Sequence, residues 1–316
     1  MIEIRPFLND DPPALVDIWR SQGHQRGLVQ PMSVTMLEQM VLAKPYFDRH
    51  GLLVAVEDER PVGFAHAGFG PSENASEIST RIGTTCLLMV HSREDADEIR
   101  GKLLARCEEY LKERGTQMLY GGASRPFDAF YLGLYGGSAI NGVLKSDTHL
   151  HELYRRQGYE KVEETIIFHG ELAGFRPIVD RRQIQYRRSM VIELAREPRA
   201  ESWWNACTLG GFDQVKFQLR RRDDHADLAS ATFWDMDAFS VCWGIRASGM
   251  VMLRTDEEAR GQGLSTYLVG EAMKQLCNQG VALIETQAST HNASAIRLLE
   301  RLGFKEVDRA MVYRKE

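Results

Sequence analysis

Residues 255–269 read TDEEARGQGLSTYLV, and this stretch decides how the rest of the chain is interpreted. It follows an apolar run at 250–253 that is typical of a strand, and it continues into a helical pattern. The glycines of Arg260-Gly261-Gln262-Gly263 let the backbone approach a ligand without hindrance from Cβ atoms. The free N–H groups and the dipole of the following helix attract anions. Strand, loop and helix together therefore predict a site for a diphosphate.

Several protein families have glycine loops of this kind, and the residues of this loop distinguish between those families. A P-loop requires Lys-Ser or Lys-Thr after its last glycine, whereas Leu264 and Ser265 follow here. The dinucleotide fingerprint requires three spaced glycines, and this stretch has two. Residues 260–265, RGQGLS, resemble the Arg/Gln-x-x-Gly-x-Gly/Ala loop with which the GCN5-related N-acetyltransferases bind acyl-CoA. Ser265 stands where that family usually has glycine or alanine, and it is also small.

Two further stretches resemble the same family. Residues 292–304, NASAIRLLERLGF, are similar to its Asn-x-x-Ala-x-x-Leu-Tyr-x-x-x-Gly-Phe helix. Residues 51–69, GLLVAVEDERPVGFAHAGF, resemble its second and third strands. The resemblance implies an α/β (α+β) fold of two tandem acetyltransferase-type domains, each a mixed, mostly antiparallel twisted sheet flanked by helices.

An internal repeat supports the presence of two domains. Leu153, Gly158 and Val162 recur as Leu298, Gly303 and Val307, each 145 positions later. We therefore predict an N-terminal domain over 1–172, a linker over 173–186 and a C-terminal domain over 187–316. In the second domain the patterns predict a short helix over 201–209 and strands over 187–194, 215–219, 229–234 and 240–245.

The N-terminal half has changed its counterpart of the glycine loop. Gly115 and Gly280 end the two corresponding helices, and counting back 17 positions from each places Glu98 opposite Gly263. The stretch 92–100, SREDADEIR, holds four carboxylates and no glycine, so it should repel a diphosphate. We expect this half to keep the fold but to have lost the ability to bind the cofactor. An extra segment at 124–143, rich in glycine and aromatic residues, favours an inter-domain seam or packing over a second binding site.

Bulk composition argues against several classes of protein. The 316 residues carry a formal net charge of −5, which is unlike a general nucleic-acid binder. Five scattered cysteines without CxxC spacing suit a reducing cytoplasm and give no zinc-site pattern. No apolar run reaches the roughly 20 residues that span a bilayer. We therefore expect a cytoplasmic monomer or homodimer without metal, membrane or nucleic-acid partners.

The resemblance implies that the C-terminal half uses acetyl-CoA as its co-substrate. Strand backbone would hold the pantetheine arm, N–H groups of the loop would hold the pyrophosphate, and Asn292 would lie near the lower end of the arm. The residues expected to contact acetyl-CoA are Met252, Leu253, Arg254, Arg260, Gly261, Gln262, Gly263, Leu264, Ser265 and Asn292.

Catalytic residues are less well defined by the sequence. The tyrosine that is the common acid in the family corresponds to Leu299 here, while the N-terminal half has Tyr154 at the matching place. Candidates for the acid or the base are Glu285, Tyr267, Asp235 and His291. The predicted function is transfer of an acetyl group to a primary amine of a small-molecule acceptor. The alternative, which the missing tyrosine favours, is a regulatory module that binds acyl-CoA without turnover.

Overall fold

The computed structural model describes residues 1–316, which form two compact units. Unit 1 consists of Met1–Thr165, Glu201–Leu209 and Arg309–Glu316, and unit 2 consists of Ile166–Ala200 and Gly210–Asp308. Each unit therefore takes segments from both halves of the sequence. None of the helices combines the length and the apolar composition needed to cross a membrane.

Strands and helices follow one another along the whole chain. The first half contains β1 (Ile2–Pro6), α1 (Pro12–Arg20), α2 (Val34–Leu37) with a π-helical continuation (Glu38–Leu42), β2 (Leu52–Glu57), β3 (Arg60–Pro71), β4 (Ile78–Val90), α3 (Ala96–Glu113), β5 (Met118–Gly121), β6 (Val143–Leu144), α4 (Thr148–Arg156) and β7 (Glu160–Glu171). The second half contains α5 (Arg181–Ser189), β8 (Met190–Arg196), α6 (Trp203–Leu209), β9 (Gln214–Arg221), β10 (Asp227–Asp235), α7 (Asp237–Trp243), β11 (Ala247–Thr255), α8 (Leu264–Asn278), β12 (Leu283–Ser289), α9 (Ala293–Arg301) and β13 (Lys305–Lys315).

The strand pairing is mixed and mostly antiparallel, which confirms the predicted fold class. In unit 1 the strands are ordered β1-β2-β3-β4-β5-β13, and only β4 and β5 run parallel to each other. In unit 2 the order is β7-β12-β11-β10-β9-β8, with β11 and β12 parallel and β8 to β11 antiparallel. The C-terminal part of β13 therefore belongs to unit 1, and the C-terminal part of β7 belongs to unit 2.

The predicted repeat is present in the structure. The helices α4 and α9 begin and end 145 positions apart, at Thr148–Arg156 and Ala293–Arg301. Each is followed by a glycine with positive φ, Gly158 at +80° and Gly303 at +85°. A residue in the left-handed conformation lets the chain leave a helix and turn into the next strand.

The core of unit 2 holds α8 against the sheet. Leu268 and Met273 of α8 are fully buried, and so are Phe217 of β9 and Phe233 of β10, whose rings meet edge to face at 5.6 Å. Burial of each such side chain contributes about 1.5–3 kcal/mol. This packing fixes the position of the helix, and therefore that of its N-terminus.

The extra segment of the N-terminal half packs into unit 1, as predicted. Phe130, Tyr131, Leu134 and Tyr135 are all buried. The hydroxyl of Tyr131 lies 2.9 Å from Nδ1 of His66, which is completely buried on β3. Burial lowers the pKa of His66 to about 3, so this histidine is neutral in the folded protein at neutral pH.

The strand predicted over 240–245 is wrong, because Asp237–Trp243 form the helix α7. Phe239 and Trp243 are four positions apart, and their ring centroids lie 5.0 Å from each other. This is a helical spacing that also satisfies part of an alternating pattern. Gly244 ends the helix with φ at +69°.

The strand predicted over 187–194 starts later, at Met190, because the preceding residues complete α5. Asp180 begins this helix: its side chain accepts a hydrogen bond from the backbone N–H of Gln183 at 2.9 Å. Helix α5 therefore occupies the last part of the segment 173–186, for which the sequence predicted a linker. The helix predicted over 201–209 is confirmed as α6.

Candidate functional site

Two parallel strands separate in the middle of the unit 2 sheet. Pairing between β11 and β12 runs from Ala247 opposite Leu283 to Met250 opposite Thr286, although β11 continues to Thr255. Val251 is an extra residue on β11, because Phe233 pairs with Met250 and the preceding Thr232 pairs with Met252. A bulge changes the direction of the strand. Beyond it β11 has an open edge, and the groove between β11 and β12 leaves room for an extended ligand.

The predicted contacts of the pantetheine arm lie along this open edge. Met252, Leu253 and Arg254 follow the bulge and pair only with β10, opposite Thr232, Ala231 and Ser230. Antiparallel pairing uses the hydrogen-bonding groups of alternate residues. The other backbone groups of this segment therefore point to the side where β12 has separated.

A run of open backbone amides follows at the start of α8. The first backbone hydrogen bond of the helix is that from the N–H of Tyr267 to the carbonyl of Gly263, at 3.1 Å. The N–H groups of residues 261–266 have no acceptor in the protein. Gly261 and Gly263 have φ of +74° and +83°, and a Cβ on either would meet nothing within 4 Å. Six consecutive amides are therefore open to an anion.

Side chains hold this loop in place. The hydroxyls of Ser265 and Thr255 are 2.6 Å apart, so the serine ties the helix start to the end of β11. The hydroxyl of Tyr186, on α5, donates to the carbonyl of Gln262 at 2.5 Å. Arg260 is exposed and pairs with Glu257 at 3.3 Å. Leu264, in contrast, is buried and anchors the first turn of α8 in the core.

A cavity of about 390 Å³ opens beside the loop. It is lined by residues from α5 and its cap, the loop, the first turn of α8 and the end of α9: Asp180, Arg181, Arg182, Gln183, Tyr186, Gln262, Gly263, Thr266 and Arg301. Three of these side chains are cationic and one is anionic, so the cavity favours an anionic ligand.

A histidine and a buried glutamate meet at the closed end of the groove. Glu285 is completely buried on β12, opposite Gly249 and one position before the last pair between β11 and β12. Nε2 of His169, on β7, lies 2.8 Å from Oε2 of this carboxylate. The histidine is 18% exposed, and its ring centroid lies 5.3 Å from that of Trp243. Its Nδ1 has no hydrogen-bond partner in the protein.

The sequence did not predict His169. It lies in an alternating strand of the first half, 116 positions from Glu285, and no motif includes it. Only the exchange of β7 into unit 2 brings the two side chains together. A lone histidine at a strand end gives no signal of its own, because a core histidine has the same pattern.

The other predicted catalytic residues lie in different places. Tyr267 packs its ring 5.7 Å from that of Tyr186 near the glycine loop, and burial raises the pKa of its hydroxyl. Asp235 ends β10 and forms an ion pair with Arg246 at 3.2 Å. Burial, followed by the nearby carboxylates of Asp235 and Asp213, raises the pKa of Asp237 on α7.

The start of α9 holds His291 and Asn292, both of which are exposed. The side-chain oxygen of Asn292 accepts a hydrogen bond from the N–H of Ala295 at 3.0 Å and so caps the helix. Its amide nitrogen has no partner in the protein. Leu299, at the place of the family's usual tyrosine, is buried in the core and has no proton to donate.

Unit 1 repeats the open strands but not the loop. Pairing between β4 and β5 ends at Thr85 opposite Gly121, and Cys86 is the extra residue next to it. A cavity of about 520 Å³ lies along residues 87–90. At the start of α3 the N–H of Ala96 donates to the carbonyl of Arg93 at 3.2 Å, so this amide is not available to a ligand.

The acidic residues of this loop are largely ion-paired, which weakens the repulsion that the sequence predicted. Arg93 bonds Asp95, Arg100 lies 2.7 Å from Asp97, and Lys102 lies 2.6 Å from Glu98. Tyr154, which stands at the place of the family's usual tyrosine in this half, also has altered properties. Tyr154 is buried in the core of unit 1, where burial raises the pKa of its hydroxyl well above the usual value.

Comparisons with known proteins support the resemblance. Residues 238–313 match the model of the family described as FR47-like protein. A search of curated proteins finds no match. A region of a fungal multi-domain GH3 β-N-acetylglucosaminidase, described as a GCN5-related glucosamine N-acetyltransferase region, aligns with all of this chain at a TM-score of 0.73 and 16% identity. The chain spans 38% of the length of that protein.

Two further solved structures match along almost their whole length. A tandem protein of the same acetyltransferase type from the clavulanic acid biosynthesis pathway aligns at a TM-score of 0.69 and 15% identity, with 100% of this chain and 98% of that one covered. A GCN5-related N-acetyltransferase from Sphaerobacter thermophilus aligns at 0.65 and 13% identity, with 100% and 95% covered. At these identities the likeness establishes a shared fold.

Proposed function

Since this chain has the tandem fold of the GCN5-related N-acetyltransferases, we propose that unit 2 transfers an acetyl group from acetyl-CoA to a primary amine of a small molecule. The fold itself supports acyl transfer in general. The observation that carries the proposal is the run of six open amides at residues 261–266, which begins six residues beyond the open edge of β11.

The residues present fit coenzyme A. A diphosphate requires several donors on one concave surface, and the amides of residues 261–266 supply them without interference from Cβ atoms at Gly261 or Gly263. The backbone of Met252 and Leu253 offers further groups to an extended amide-bearing arm. The amide nitrogen of Asn292 has no partner in the protein and remains free to donate to a ligand.

When bound, acetyl-CoA would supply an activated acetyl group: the amine nitrogen bonds to the carbonyl carbon, the carbon–sulfur bond breaks, and coenzyme A leaves as a thiol. The nitrogen of an acceptor ammonium loses two protons in this exchange. One goes to the thiolate sulfur and the other leaves through a base. A thiol pKa near 8.5 makes the thiolate a tolerable leaving group even without a dedicated acid.

We assign the base to His169, held by Glu285. Nε2 lies 2.8 Å from the carboxylate, and in the tautomer in which Nε2 donates to it, Nδ1 carries the lone pair and can take a proton from the acceptor. The buried carboxylate also stabilises the imidazolium that then forms, because charges interact strongly away from water. Glu285 lies one residue pair before β11 and β12 separate, which supports a role of this pair close to the thioester.

Release of coenzyme A in the presence of amines tests this proposal. The purified protein would be incubated with acetyl-CoA and with pools of polyamines, amino acids and amino sugars, and free coenzyme A measured by chromatography. Glucosamine belongs in the panel because one structural neighbour carries a glucosamine N-acetyltransferase region. We expect release above the hydrolytic background with at least one pool. Binding of acetyl-CoA without release in any pool would favour the regulatory module.

A pair of histidine variants tests the assignment of the base. His169→Gln removes the imidazole beside Glu285, and His291→Gln removes the exposed imidazole next to Asn292. We expect the first to lower kcat at neutral pH by roughly 10²- to 10⁴-fold and the second to leave it nearly unchanged. A larger loss at His291 would move the base to the start of α9.

A further inference from the structure

Helix α5 and the phosphate loop enclose one continuous surface in unit 2. Gln262, Gly263 and Thr266 belong to the run of open amides and also line the 390 Å³ cavity. The opposite wall of the cavity is α5, which begins at Arg181. Ligand pockets in proteins typically measure about 300–1,000 Å³, so this volume suits one end of a ligand whose diphosphate lies on the loop.

Two of the three cations of this cavity form no internal ion pair. Arg181 and Arg182 are exposed and have no carboxylate within ion-pair distance. Arg301, at the end of α9, lies 3.4 Å from Asp180. Asp180 also accepts from the N–H of Gln183, so the single carboxylate is partly occupied by capping. Two guanidinium groups therefore remain available to an anion.

Helix α5 is held against the loop by contacts of its own. Besides the hydrogen bond from Tyr186 to the carbonyl of Gln262, Arg187 lies 2.7 Å from Glu271 on α8. Gln183, which lines the cavity, is itself buried. These contacts keep the arginines close to the open amides before any ligand arrives, and such preorganisation reduces the entropic cost of binding.

We infer that α5 is a clamp for the nucleotide end of the cofactor, in which Arg181 and Arg182 bind a phosphate beyond the diphosphate. This inference rests on the proposed function. A guanidinium fork matches phosphate oxygens in geometry and charge. In coenzyme A the 3′-phosphate of the ribose is the group of that chemistry, so the clamp selects coenzyme A over its 3′-dephospho form.

Isothermal titration with two ligands tests the inference. Coenzyme A and 3′-dephospho-coenzyme A would each be titrated into the wild type, the double variant Arg181→Ala/Arg182→Ala, and Arg188→Ala. The last removes an exposed cation from the same helix that does not line the cavity. We expect the wild type and Arg188→Ala to bind coenzyme A about 10- to 100-fold more tightly than the dephospho form. In the double variant this ratio should fall to about 1.

Three outcomes are informative, and the first two separate failure of this inference from failure of the proposed function. If coenzyme A binds and Gly263→Glu abolishes binding, but the double variant keeps the wild-type ratio of affinities, then α5 does not read the phosphate and the inference is overturned. If coenzyme A does not bind to any of these proteins, the proposed function itself fails. An equal loss in Arg188→Ala would show a general effect of charge and would also overturn the clamp.

Discussion

A glutamate at position 263 would place a charge among the open amides with little effect on the fold. Gly263 has φ at +83°, and an L-residue in this region costs about 1–2 kcal/mol. A Cβ there would meet nothing within 4 Å, so the longer side chain has space. We expect Gly263→Glu to remain folded, with a modest decrease in the free energy of unfolding.

The magnitude of the effect on binding follows from Coulomb's law. A carboxylate about 5 Å from a phosphate, at an effective dielectric constant between 20 and 80, costs about 1–3 kcal/mol per unit charge. A diphosphate bears about two such charges, so the cost is about 2–6 kcal/mol, and each 1.4 kcal/mol is a factor of ten in affinity. Gly263→Glu should therefore weaken acetyl-CoA binding at least tenfold.

Isothermal titration of acetyl-CoA measures this effect, and two variants serve as controls. Gly263→Ala carries the same backbone strain without the charge, and it should stay within a few-fold of the wild type. Glu98→Gly changes the matching position of unit 1, and it should leave the affinity unchanged. Wild-type affinity in Gly263→Glu, or an altered affinity in Glu98→Gly, would refute the assignment of binding to unit 2.

Three further substitutions test contacts inside unit 1 or inside unit 2. Tyr186→Phe removes the hydrogen bond to the carbonyl of Gln262, so acetyl-CoA affinity measured by titration should fall about two- to tenfold, and an unchanged value would contradict the role of this contact. In Gly121→Ala the new Cβ would lie 2.3 Å from the ring of Tyr154, so urea unfolding should show a loss of about 1–3 kcal/mol, and a midpoint equal to that of the wild type would argue against the tight packing. His66 has its pKa lowered from 6.5 to about 3, so below pH 6.5 the unfolded chain binds a proton that the folded chain refuses. The free energy of unfolding should therefore fall by up to about 4 kcal/mol between pH 6.5 and pH 3 on account of this residue, and a His66→Phe variant with the same pH slope as the wild type would show that the histidine is not responsible.

The sequence predicted features that depend on short stretches of chain. Gly261 and Gly263 act through their own backbone, and the repeat of Gly158 and Gly303 reflects a local turn from helix into strand. Patterns of this kind can be read directly, because the residues that cause the structure are neighbours along the chain. The predicted fold class, which the mixed and mostly antiparallel strand pairing confirms, rests on the same local signals.

Features that depend on long-range pairing were not predicted. His169 and Glu285 meet because the end of β7 joins the unit 2 sheet, and nothing in the residues around either one encodes that exchange. The apolar alternation at 240–245 predicts a strand, and this prediction is wrong because Phe239 and Trp243 suit a helix face equally well. Arg181 and Arg182 lie in the predicted linker, and only the position of α5 brings them beside the loop.

A crystal structure of the protein grown with acetyl-CoA is the most direct test of where the anion binds. We predict density for the diphosphate at hydrogen-bond distance, about 2.7–3.2 Å, from the amides of residues 261–266, with none along residues 87–90 of unit 1. Density for the cofactor only along residues 87–90 of unit 1, or in neither unit, would contradict the account.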